Sequence, residues 1–127
     1  MNDYATITGG DDNTLTGGDF SKITGGNYST LTGGYGSTLT GGDGSKLTGG
    51  NHSTLTGGYG STLTGGYGST LTGGYGSTLT GGYGSKLTFA WRDDKANRSR
   101  LTTVYVGEDG IKPNVAYRCD KGKVVEA

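Results

Sequence analysis

The sequence predicts an all-β chain: a parallel β-solenoid closed by a β-rich C-terminal cap. Three observations carry this expectation. Thr recurs at every eighth position from Thr8 to Thr88, and Leu or Ile precedes each one. Gly-Gly follows the first ten of these Thr residues. After Thr88 the period stops, and Trp91 joins a series of Val, Ile and Tyr residues. With 29 glycines in 127 residues and a hydrophobic fraction of 29%, an aperiodic chain would be expected to stay disordered. A disordered linker has no need to hold Leu in register.

Ten complete octads run from Thr8 to Leu87. In Ser37-Thr38-Leu39-Thr40, β-branched Thr flanks an apolar residue and favours an extended backbone. Alternation puts Ser37 and Leu39 on one face and Thr38 and Thr40 on the other. Gly41-Gly42 then supplies a corner, where positive φ costs glycine little. One octad cannot bury its Leu alone, so successive coils must stack. The inward Ser side chains are expected to bond neighbouring coils.

The coil could hold two octads or three. "GGDFSKI", "GGNYSTL" and "GGYGSTL" are echoed 24 residues later. A 24-residue coil, however, would stack Lys22 on Lys46 and Asp19 on Asp43, placing like charges in register. Sixteen residues put Lys22 and Lys86 on one side and Lys46 on the other, with Tyr59 on Tyr75 and Tyr67 on Tyr83. Two octads per coil are favoured, giving about five coils.

Residues 1–88 thus form the solenoid and residues 89–127 the capping segment. "LTFAWR", "RLTTVYV", "NVAYRC" and "KVVE" read as short strands, with turns at "DDKANR", "GEDG" and "DKG". Fourteen of the 22 charged residues lie in this tail. A solenoid end exposes unpaired backbone, and the tail is suited to cover it.

Net charge is zero, which argues against nucleic acid or anionic membranes as partners. No segment approaches the ~18 apolar residues that cross a bilayer. No signal peptide is visible after Met1, so a cytoplasmic location is the default, or the cell surface if another export route exists. Cys119 is the single cysteine, so no disulfide framework or Cys-rich metal site is expected. Gly36 to Gly41 has phosphate-loop spacing, but Gly42 stands where Lys is needed. The word is one residue short of the calcium-binding nonapeptide and lacks its Asp. Cys119 and His52 make an unsupported nucleophile–base pair. Asn27, Asn51 and Asn97 open N-x-S sequons that matter only in a glycosylating compartment. No enzymatic activity and no cofactor are expected.

The Thr-x-Thr pairs are the most pointed feature. One side carries Thr38, Thr40, Thr54, Thr56, Thr70 and Thr72; the other carries Thr14, Thr16, Thr30, Thr32, Thr62, Thr64, Thr78 and Thr80. Hydroxyls of a pair lie about 6.5–7 Å apart and coils stack at about 4.8 Å. A rigid lattice of methyl and hydroxyl groups at that spacing can hold an ordered, ice-like water layer. The plainer alternative is that Thr serves strand propensity and solubility. Tyr59, Tyr67, Tyr75 and Tyr83 form a second surface along the corners.

The octads resemble the central repeats of bacterial ice nucleation proteins, built around Ala-Gly-Tyr-Gly-Ser-Thr-x-Thr. "GGYGSTLT" (Gly57 to Thr64) matches with Gly57 in place of the family's Ala. "GEDGIKPNVAYR" (Gly107 to Arg118), and Trp91 followed by basic residues, resemble that family's C-terminal cap. About 120 residues are covered. The family's large N-terminal domain is absent, and its arrays hold dozens of coils. The resemblance implies an ice-nucleation-like or ice-binding role on outward Thr, with ordered water or an ice surface as partner. It also implies homodimerisation through the Tyr ladder, beside which an end-to-end oligomer is a further possibility; rings stacking within one chain is the competing reading. A rigid structural repeat module of a bacterial or phage assembly is the alternative function.

Overall fold

The computed structural model describes residues 4–127 and contains no helix among them. Ten short strands occupy the octads: β1 (Thr6–Thr8), β2 (Thr14–Thr16), β3 (Lys22–Thr24), β4 (Thr30–Thr32), β5 (Thr38–Thr40), β6 (Lys46–Thr48), β7 (Thr54–Thr56), β8 (Thr62–Thr64), β9 (Thr70–Gly73) and β10 (Thr78–Thr80). Four longer ones follow: β11 (Lys86–Asp93), β12 (Arg98–Tyr105), β13 (Ala116–Asp120) and β14 (Lys123–Glu126).

The coil holds sixteen residues. Thr38 pairs with Thr54 and Thr54 with Thr70, while Thr30 pairs with Lys46 and Lys46 with Thr62, all in parallel. Odd-numbered strands build one sheet, in the order β1-β3-β5-β7-β9-β11-β12. Even-numbered strands build the other, ending β10-β13-β14. Lys22 and Lys46 face Thr on both sides and Lys86 faces Thr70 and Tyr105, never another Lys, so the sixteen-residue coil keeps like charges out of register.

Between the sheets lies a core one residue thick on each side. Ile23 and every octad Leu from Leu31 to Leu87 are 0% exposed. The neighbouring Ser residues are buried too, and their hydroxyls donate to a Gly carbonyl of the preceding coil: Ser29 Oγ to Gly10 at 3.1 Å, Ser85 Oγ to Gly66 at 3.0 Å. No buried side-chain N or O lacks a partner among the described residues. That satisfaction is what permits so many polar groups inside so thin a core.

The corner departs from expectation in one respect. Gly41 and Gly42 do not adopt positive φ; Gly44 does, at +65°. The Gly-Gly pair is required by space instead. A Cβ on Gly41 would sit 2.8 Å from Ser45 Cβ, and one on Gly42 would meet Asn27 Oδ1 at 2.2 Å and its backbone N at 3.0 Å. The first glycine makes room for the inward Ser, and the second lets adjacent coils touch backbone to backbone.

At Phe89-Ala90 the Gly-Gly is missing, and β11 runs straight past the corner to Asp93. It returns as β12, antiparallel along all eight residues. The chain then crosses to the other sheet through buried Val106 and Ile111, and β13 pairs antiparallel with β10. Each sheet therefore ends in antiparallel strands. Trp91 braces the two hairpins: its Nε1 donates to Thr102 Oγ1 at 2.8 Å, and a Cβ on Gly122 would lie 2.7 Å from its ring. Arg100 Nε donates to Asp93 Oδ2 at 2.6 Å, which holds the Asp93 carboxyl below its ordinary value.

Candidate functional site

Strand alternation turns every Thr-x-Thr pair outward, because the intervening Leu is held in the core. On the odd-strand sheet Thr38, Thr54 and Thr70 are consecutive register partners, as are Thr40, Thr56 and Thr72. Lys22 and Lys86 bound the first of these columns. The even-strand sheet carries Thr14, Thr30, Thr62 and Thr78 with Lys46 between Thr30 and Thr62, and Thr16, Thr32, Thr64 and Thr80 with Thr48 between. The second column on each sheet is thus unbroken Thr. Thr14, Thr16, Thr30, Thr32, Thr38, Thr40, Thr54, Thr56 and Thr62 are exposed, whereas Thr64, Thr70, Thr72, Thr78 and Thr80, nearer the cap, are half-buried. Thr88 is buried, with its hydroxyl 3.1 Å from that of Thr103.

The four Tyr residues singled out from the sequence divide between the two corners. Tyr67 and Tyr83 stack in the corner that leads into the odd strands, with ring centroids 6.2 Å apart. Tyr59 and Tyr75 lie in the other corner, where the Tyr75 hydroxyl bonds Ser99 of β12.

The Tyr67–Tyr83 pair belongs to a longer column that the sequence reading missed. Tyr4, Phe20, Tyr35, His52, Tyr67 and Tyr83 follow one another at 5.4, 5.6, 5.4, 5.7 and 6.2 Å. The rings are well exposed, from 45% at Tyr35 to 77% at Tyr4. The column hid because its rings are drawn from two octad positions. Tyr35 and Tyr67 take the fourth position and are followed by glycine; Phe20 and His52 take the fifth and are preceded by Asp19 or Asn51. Asp19 Oδ1 accepts the Tyr35 N–H, and Asn51 Oδ1 accepts the Tyr67 N–H, each at 2.9 Å. A fifth-position ring packs on the glycine one coil later: a Cβ at Gly36 would be 2.7 Å from Phe20, and one at Gly68 would be 2.8 Å from His52. The signal was the invariant Gly after every fourth-position Tyr.

The other corner holds an Asp/Asn ladder. Asp11 Oδ1 accepts the Asn27 N–H at 2.7 Å, Asn27 Oδ1 the Asp43 N–H at 2.9 Å, and Asp43 Oδ1 the Tyr59 N–H at 2.9 Å. These side chains are committed to holding coils together.

In the cap, Trp91, Arg92, Asp93, Asp94, Lys95 and Lys121 line a cavity of about 380 Å³, with no Ser, Cys or His among them. Cys119 is half-buried in β13, where burial pushes its thiol above the ordinary value. His52 stands in the aromatic column, in a different part of the fold. Among the described residues no three His, Cys, Asp or Glu gather as a metal site, and no helix is long and apolar enough to cross a membrane.

No family model, no curated protein and no solved structure matches this chain. The likeness to ice nucleation repeats rests on the octads and the tail motif alone.

Proposed function

We propose that the protein is a non-enzymatic, ice-nucleation-like water organiser that acts through its outward Thr columns. One observation carries the reading: on each sheet the second Thr of the pair forms a column without a single substitution, Thr24 to Thr72 on one and Thr16 to Thr80 on the other. Strand propensity alone favours Thr but does not demand it at every rung, since Val, Ile or Tyr serve a strand as well. Repeated hydroxyls and methyls at about 4.8 Å along the stack and about 6.5–7 Å across it offer water a rigid two-dimensional template.

The array is short. Five coils span about 24 Å, so the expected activity is ice binding, growth shaping or slight supercooling control, not freezing close to the melting point. Ice-affinity partitioning of the purified chain tests the reading: the protein should concentrate in the slowly grown ice fraction. Exclusion from ice would leave the Thr columns as strand formers.

The second reading is a rigid self-associating module of a larger bacterial or phage assembly. The exposed aromatic column favours it, since six rings in successive stacked or edge-on contact, with 45% or more exposure at five of them, form a continuous aromatic strip of the kind that marks interaction surfaces. Ice binding needs the Thr faces open in the final assembly, whereas a spacer can bury them.

A further inference from the structure

Among the described residues the apolar core is sealed along its length and only half-buried at its two ends. Ile23 and Leu31 to Leu87 are wholly buried. The half-buried members of the same cluster are Ile7 and Leu15 in the first coil, and Val104, Val115, Cys119 and Val124 in the cap.

The backbone follows the same division. β1 and β2 end their sheets on one side, β12 and β14 on the other. Lys22 N–H donates to the Ala5 carbonyl and Gly9 N–H to the Thr24 carbonyl, so residues 5, 7 and 9 face β3. Alternation turns the N–H and C=O of Thr6 and Thr8 away from the array. Thr14 and Thr16 are turned the same way, because the Asn13 carbonyl and the Gly17 N–H are the groups used inward.

The cap also levels the far end. Six repeat strands plus β12 complete one sheet, and five plus β13 and β14 complete the other, so both hold seven strands. Each end of the molecule is thus a double sheet edge of equal height. The two ends differ in charge. Asp11, Asp12 and Asp19 precede the first basic residue, Lys22, whereas residues 89–127 carry eight basic and six acidic side chains. Arg98 and Arg100 lie on β12, and Lys123 on β14.

We infer that the two ends are complementary faces of a head-to-tail contact between copies of this chain. β1 of one copy meets β12 of a second copy, and β2 meets β14. Since β12 is antiparallel to β11, the first pair is antiparallel; β14, reversed twice from β10, runs with β2, so the second pair is parallel. The contact satisfies the outward groups of Thr6, Thr8, Thr14 and Thr16, and covers Ile7 and Leu15 with Val104 and Val124. Edge charges discourage acidic end on acidic end and basic on basic, leaving the unlike pairing. This contact stands independently of water ordering, and would lengthen the Thr columns whatever they bind.

The test uses the full chain and the double variant Thr8→Pro with Thr16→Pro. Proline removes an edge N–H and blocks a docking strand, while the inward bonds of residues 5, 7 and 9 are untouched. Sedimentation velocity should show the parent's average mass rising with concentration in low salt and falling at about 0.5 M salt, where charge is screened. The double variant should keep the parent's circular dichroism and remain monomeric. Carbodiimide treatment of the parent should join Asp11 or Asp12 to Lys121 or Lys123, a link one chain cannot make across roughly 29 Å of stacked strands. This cross-link tests the contact even if the proline variant misfolds. A parent that is monomeric at every concentration in low salt, a folded double variant that associates like the parent, or cross-linked dimers without that end-to-end link would each overturn the inference.

Discussion

In the array, β7 and β8 reach their corners at Gly57-Gly58 and Gly65-Gly66 and turn; in the tail, β11 arrives at the same point with Phe89-Ala90 and goes straight on. Phe89 pairs with Gly73 one coil below, where an added Cβ would lie 2.5 Å from Ser77 Cβ. A side chain as large as phenylalanine therefore does not fit a winding corner, and the winding ends where Phe89-Ala90 replaces Gly-Gly. The array uses glycine for flatness and repetition, and the tail gives up both for antiparallel hairpins that end the winding. The two regions divide the work: one displays a lattice, the other sets its length.

Leu55→Asp should break the array outright. It places an unpaired carboxylate in a core one side chain thick, at a cost of several kcal/mol. Circular dichroism is expected to show an unfolded chain; native β structure with a near-parental melt would mean that the Leu columns are not the core.

Removing residues 89–127 sharpens the comparison from the other side. Leu87 loses Val104, the remaining part of β11 loses β12, and β10 loses β13. Exposed parallel edges template further strands, so the truncated chain should aggregate or elongate, as read by light scattering. A soluble monomer of equal stability would make the tail an independent domain.

Two glycine variants separate space from backbone conformation. Gly57→Ala would bring a Cβ to 2.6 Å from Ser61 Cβ and should cost about 2–3 kcal/mol through overpacking. Gly60→Ala meets nothing within 4 Å and is strained only by its φ of +65°, which should cost about 1 kcal/mol. Urea midpoints in that order support the corner chemistry described above; the reverse order would contradict it.

Much of this was legible in the sequence because the period itself is a physical constraint. Unlike partners for Lys22, Lys46 and Lys86 selected the sixteen-residue coil, and the four tail strands fall within one or two residues of where their patterning placed them. The role of Gly-Gly was not legible as such. Close packing, not positive φ, requires it: the first glycine against the inward Ser four residues on, the second against the backbone of the preceding coil. The inward Ser alone did not reveal how tightly either fits. The aromatic column was also hidden, because Phe20 and His52 shift one octad position and hand their fourth position to Asp19 and Asn51. A letter-by-letter comparison scores those octads as degenerate, although in space the column is unbroken.

The smallest structural change carries the most direct functional test. Surface exchanges of Thr and Lys should move stability by no more than about 0.5 kcal/mol, yet they alter the lattice. Lys22 interrupts the column Thr6, Lys22, Thr38, Thr54, Thr70. Lys22→Thr therefore extends it, while Thr54→Lys puts a hydrated ammonium in its centre. Ice-affinity partitioning of the parent and these two variants, matched for melting temperature, decides the matter. Enrichment in ice should rise for Lys22→Thr and drop sharply for Thr54→Lys. Equal partitioning of all three, or none by any, would contradict the claim that the Thr columns organise water.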